Sequence, residues 1–105
     1  MKNVANTLST LVVALLASAP LAVVADNVNH HEAFQLQEAG TIQSFQALGD
    51  IVLGLHPGAT ITDTELEQEF GRYIYEVELR DASGLEWDVY LDAASGEIMK
   101  NVRDD

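Results

Sequence analysis

The sequence predicts an α+β fold: one main α-helix packed on one face of an antiparallel β-sheet of three to four strands. Three observations carry this. Apolar and polar residues alternate strictly along two stretches, with Tyr75, Val77 and Leu79 between Glu76, Glu78 and Arg80, and Leu85, Trp87, Val89 and Leu91 between Glu86, Asp88 and Tyr90. Such alternation marks strands with one buried and one wet face. Turn-forming residues separate these stretches, and a single run upstream, Ile42, Phe45, Leu48, Val52 and Leu55, repeats at the three-and-four spacing of a helix face.

The last third is read as two consecutive hairpins. Asp81-Ala82-Ser83-Gly84 suits a type I turn followed by a left-handed glycine. Closing that loop with Asp81 opposite Leu85 sets Leu79 against Trp87, Val77 against Val89 and Tyr75 against Leu91. A slip of one residue would pair apolar with charged side chains, so the parity selects this register. On the outward face it sets Glu78 against Asp88, with Glu76 next along its strand. A four-residue loop, Ala93 to Gly96, pairs Leu91 with Ile98 and Trp87 with Val102. That register turns Lys100 inward opposite Val89, which requires an edge strand.

Taken from its start, the chain divides into three. Residues 1–25 read as a cleavable signal peptide: Lys2 opens it, Leu8 to Leu16 is nearly apolar, and Val23-Val24-Ala25 offers small residues for the peptidase. The product is then periplasmic or secreted, with no stable membrane anchor after cleavage. With no cysteine in the chain, disulfides, thiol catalysis and a lipid-modified N-terminal cysteine are excluded. Residues 26–40 read as a flexible polar lead-in with at most a fraying helix, since an isolated helix of that length is marginal. His30-His31-Glu32 lies there, but adjacent histidines do not share a helix face, and no metal or other cofactor is assigned. Residues 41–105 form the domain. Thr41 is taken as the N-cap of the main helix, and His56-Pro57-Gly58 stops it, because the residue before proline leaves the helical region. Gly49 and Gly54 inside that helix predict close approach of its backbone to the sheet. Ile61 to Phe70 is the first strand, its register unreadable.

The whole chain carries a net charge of −12, and loss of Lys2 with the leader makes it −13. An excess of this size disfavours nucleic acid and anionic lipid and leaves a basic protein or peptide as the charge-driven partner. Catalytic constellations are missing from the pattern. Ser83 and Ser95 sit in turns, Asp92 to Glu97 departs from a calcium loop at Ala94, and the carboxylates alternate onto an open face without the shelter a general acid needs. Glu76, Glu78 and Asp88 are the candidate partner-binding residues. Low-affinity binding or buffering of divalent cations is the alternative those same carboxylates support.

A helix ending in Pro57-Gly58-Ala59, then a strand, then Tyr75-Glu76-Val77-Glu78-Leu79, Gly84, and Asp92-Ala93-Ala94-Ser95-Gly96-Glu97-Ile98 resembles a PepSY domain. That family is named for propeptides of thermolysin-type metallopeptidases and for a spore germination protein. The resemblance covers Thr41 to Val102 and marks Pro57, Gly58, Tyr75, Val77, Gly84, Trp87, Asp92 and Gly96 as motif positions of structural weight. It implies one helix laid on an antiparallel sheet and no catalytic residues. It also implies a binding or inhibitory module, of a kind that in some cases regulates peptidases, and the expected use here is restraint of a peptidase or service to a membrane sensor. No peptidase domain follows in this chain.

Overall fold

The computed structural model of the protein describes residues 26–104. The signal-peptide reading of residues 1–25 lies outside the described residues. The elements run β1 (Asp26–Asn27), α1 (His30–Glu38), α2 (Phe45–Leu55), β2 (Thr60–Glu69), β3 (Arg72–Arg80), β4 (Glu86–Asp92) and β5 (Ile98–Arg103). The strands form one antiparallel sheet in sequence order, β1 to β5.

The α+β class is therefore as expected, but the described residues hold five strands rather than three to four, and two helices rather than one. The fifth strand is β1, a two-residue pairing with Glu67 and Gln68 too short to leave an alternation pattern. The second helix is α1, which occupies the segment expected as a flexible lead-in. Three interactions hold it where propensity alone would not. Asn29 Oδ1 accepts from the Glu32 N–H at 2.8 Å, Ala33 is buried in the core, and Gln37 Oε1 accepts from the Phe45 N–H at 2.8 Å, so α1 helps cap α2. The main helix begins later than Thr41. Its N-cap is Ser44, whose hydroxyl accepts from the Ala47 N–H at 3.1 Å, while Ile42 is buried in the connection before it.

One core lies between the helices and the inner sheet face. Leu48 and Val52 from α2 meet Leu66, Tyr75, Val77, Leu79, Val89 and Leu91 from the sheet, all buried. The Phe45 ring stacks on Tyr75 with centroids 4.8 Å apart. Burial raises the Tyr75 phenol above its ordinary value, partly offset by a hydrogen bond with Thr64. The expectation about Gly49 and Gly54 fails: a Cβ on Gly49 would make only ordinary contact with Ile61 at 3.9 Å, and one on Gly54 would touch nothing.

The β3–β4 hairpin has the expected register, Leu79–Trp87, Val77–Val89, Tyr75–Leu91 and Glu78–Asp88. Asp81 Oδ1 accepts from the Ser83 and Leu85 N–H groups, both at 2.9 Å, and Oδ2 accepts from the Trp87 indole N–H at 2.9 Å. Leu85, read as inward, lies at the turn and is exposed. In the β4–β5 hairpin the Leu91–Ile98 pair holds, but a bulge between Tyr90 and Leu91 shifts the rest. Trp87 faces Arg103 rather than Val102, and Lys100 faces Tyr90, with its ammonium 4.7 Å from the ring centroid. A bulge inserts one residue and reverses the parity beyond it, which carries Lys100 to the outer face.

Candidate functional site

The outer sheet face is built by the outward positions of β2, β3 and β4. The β2–β3 hairpin turns in two residues, Phe70 (φ 52°) and Gly71 (φ 74°), so Glu69 pairs with Arg72 and the register runs back along both strands. Cross-strand rows follow from it. Asp63 faces Glu78, which faces Asp88. Glu65 faces Glu76, which faces Tyr90. Glu67 faces Ile74, which faces Asp92. Like charges directly opposite each other oppose pairing, so this face is electrostatically loaded.

Two groups of carboxylates result. Glu65, Glu67 and Glu76 each bring an oxygen within 4.8 Å of the others, and so do Glu78, Asp88 and Asp104. Among the three residues read as partner-binding, Glu76 thus falls in one group and Glu78 and Asp88 in the other. A cleft of about 90 Å³ lined by Asp63, Glu76, Glu78 and Asp88 connects them. Asp88 Oδ1 is sealed from solvent and has no hydrogen-bond partner. A buried carboxylate oxygen left in this state is costly.

The electrostatics follow the geometry. Partial burial, then the hydrogen bond and charge of Glu67, push Glu76 from its ordinary 4.5 up to about 7, against a hydrogen bond from Tyr90 that acts the other way. Tyr90 is pushed up to about 12 by burial and then by the charge of Glu76. Glu78 is raised by local desolvation first, then by Asp63, Asp88, Asp104 and Glu65. The ion pairs Arg72–Asp92 (3.3 Å) and Arg80–Glu86 (3.5 Å) lie to the ends of this face. Arg80 and Glu86 are both well exposed, so their pair contributes little.

These shifts predict an acid-side stability maximum. Glu76 binds its proton more tightly in the folded chain than in the unfolded one. Its contribution is fully present below pH 4.5 and is lost as pH rises through about 7. Allowing for solvent screening of a group that is only partly buried, the loss is about 1 kcal/mol. Asp81 and Asp92 act in the opposite sense. Backbone hydrogen bonds hold both below their ordinary 3.8, so their contribution is present above that value and fades as pH falls. Urea unfolding across the pH range should show greatest stability near roughly pH 4–5, and Glu76→Gln should flatten the neutral side alone. An unchanged neutral limb in that variant would remove Glu76 as its cause.

The motif positions lie away from this face or beneath it. Tyr75 and Val77 are buried in the core, and Trp87 is half-buried against it, its ring 4.5 Å from His56 and tied to Asp81. Pro57 and Gly58 make the α2–β2 connection, where Gly58 lies against the Ala82 turn. Gly84 (φ 87°) and Gly96 (φ 80°) close the two hairpins. Asp92 Oδ1 accepts from the Ala94 and Ser95 N–H groups at 2.9 and 3.0 Å, the carboxylate-stabilised turn its sequence suggests. Sequence reasoning missed Glu65, Glu67, Tyr90 and Asp104 as members of the site. The two-residue Phe70-Gly71 turn was the available signal for Glu65 and Glu67, because it sets the β2–β3 register, and the β3–β4 register already placed Tyr90 opposite Glu76.

The PepSY family model, described as peptidase propeptide and YPEB domain, matches residues 44–101, more than half of the chain. The chain belongs to this family, and its domain is of the propeptide type. It is also similar to an uncharacterized protein, YkoJ, of Bacillus subtilis (strain 168), with 38% identity over 48 residues. That match covers 46% of this chain and 28% of the relative. No solved structure matches. No helix among the described residues is long and apolar enough to cross a membrane.

Proposed function

We propose that the protein is an exported, non-catalytic interaction module whose acidic outer face docks a basic protein or peptide, with restraint of a peptidase or service to a membrane sensor as its biological use. Family membership supports a propeptide-like binding role, and the leader-like segment at residues 1–25 supports export. The observation that carries the reading is the Asp63–Glu78–Asp88 row, in which three carboxylates face one another and Asp88 Oδ1 has no partner. The free domain bears this repulsion, and a basic partner relieves it.

Glu78→Gln with Asp88→Asn should therefore stabilise the free domain at low ionic strength, and by less in high salt. The same double variant should lose partner capture from the exported fraction, most visibly at low salt. Capture of the same proteins with the same salt dependence would reduce the row to solvated surface.

The carboxylate groups also favour a second reading, low-affinity binding of divalent cations. Three oxygens within 4.8 Å on an open face, completed by water, fit a weak calcium site. Thermal denaturation at constant ionic strength separates the two. A saturable rise in Tm with calcium supports the cation reading, and no rise beyond that of matched sodium removes it.

A further inference from the structure

We propose that the partner enters the outer face as a lysine- or arginine-bearing segment, seated in the groove between the β2–β3 hairpin tip and β5, its cationic head at Glu67 and Glu76, its aliphatic stem over Ile74 and Tyr90, and a neighbouring apolar side chain against Phe70 and Met99. The inference rests on the docking role proposed above and gives that partner its chemistry and its seat.

The groove encloses about 640 Å³, within the range of roughly 300–1,000 Å³ typical of ligand sites. Its floor departs from the rest of the face. Ile74 is only 7% exposed at an outward position of β3, where the next two outward residues are Glu76 and Glu78. An apolar floor between acidic walls is the complement of a long cationic side chain, whose stem is greasy and whose head is charged. A bare metal ion makes no use of such a floor, and an acidic segment is repelled by Glu67, Glu69 and Glu76. The cation at the near end, Arg72, is already held by Asp92. Lys100, with its ammonium over the Tyr90 ring, shows within the chain itself that the ring accepts a cation.

Phe70 is the second, independent observation. It occupies the first central position of a two-residue turn at φ 52°, where asparagine, aspartate or glycine is favoured, and the residue is 83% exposed. The fold gains nothing from an aromatic there: the residue bears left-handed strain and leaves its ring in water. Contact with an apolar group of a partner gives that ring a use. Glu76 adds a pH signature, since a carboxyl pushed up to about 7 must lose its proton to face a cation.

The test is an amide-shift titration of the ¹⁵N-labelled protein with three blocked hexapeptides, alternating lysine–leucine, lysine–serine and glutamate–leucine. Lysine–leucine should shift the amides of Phe70, Ile74, Glu76 and Met99 and bind more tightly at pH 8 than at pH 6. Lysine–serine should bind about tenfold more weakly, and glutamate–leucine should not bind. Phe70→Gly, which relieves the turn and keeps it foldable, should weaken lysine–leucine about fivefold, and Glu76→Gln should abolish the pH dependence. Equal binding of glutamate–leucine, or an unchanged affinity in Phe70→Gly, overturns the inference. Shifts centred on Glu78, Asp88 and Val102 overturn it while leaving the basic-docking reading intact. No outer-face shift with either lysine peptide overturns both.

Discussion

Trp87→Ala is expected to cost about 3 kcal/mol, enough to leave so small a domain partly unfolded at room temperature. The indole contributes in two separable ways. Its ring packs on the core and lies 4.5 Å from the His56 ring at the end of α2, which joins the helix stop to β4. Its N–H donates to Asp81 Oδ2, whose other oxygen holds the β3–β4 turn through Ser83 and Leu85. Trp87→Phe keeps most of the ring and loses the N–H, so its cost should be about 1 kcal/mol. The difference between the two variants measures the packing. Because Trp87 is half-buried rather than enclosed, its native emission should lie between that of a solvated and a fully buried indole. Equal stabilities for the two variants in urea denaturation would show that the ring is not packed.

The same hairpin shows why so much of the fold could be read. At Asp81 to Leu85 the turn chemistry and the alternation of both strands point to one register, and each excludes the slips the other allows. Beyond Leu91 the Ala93–Gly96 turn set the first pair, Leu91 with Ile98, but β5 carries adjacent apolar residues, Ile98 and Met99, instead of a strict alternation, so the bulge that reverses the parity left no trace in the pattern. In β2, acids fill the outward positions and threonines interrupt the inward ones, so the strand was visible but its partners were not. For α1, local propensity argued against a stable helix, and tertiary contacts through Ala33 and Gln37 decided the matter. The site divides along the same lines. Glu78 and Asp88 face each other across the legible hairpin, whereas Glu65 and Glu67 reach Glu76 only through the illegible register, and Asp104 joins Glu78 and Asp88 only after the bulge.

Gly96→Ala is expected to cost about 2–4 kcal/mol, against about 1–2 kcal/mol for Gly84→Ala, although both glycines close hairpins with nearly the same φ. The backbone part is common to the two: φ of 80° at Gly96 and 87° at Gly84 places any Cβ in the disfavoured left-handed region. The surroundings differ. A Cβ on Gly84 meets nothing within 4 Å, whereas one on Gly96 would stand 2.9 Å from Ile51 Cδ1 and 3.1 Å from Gln43 Nε2. Those side chains belong to α2 and the residues leading into it, and Gln43 also fastens the turn directly, its N–H donating to Ala93 O at 2.9 Å. The Asp92–Gly96 turn is thus the point where the main helix and the β4–β5 hairpin are docked together. Both contacts are to the ends of flexible side chains, so relief by rotation sets the cost within that range. Gly96→Ala in an Ile51→Ala background supplies the decisive comparison. Removing Ile51 Cδ1 should bring the cost of the glycine change down toward that of Gly84→Ala, and an unchanged difference would mean that the turn is strained for reasons other than its contact with the helix.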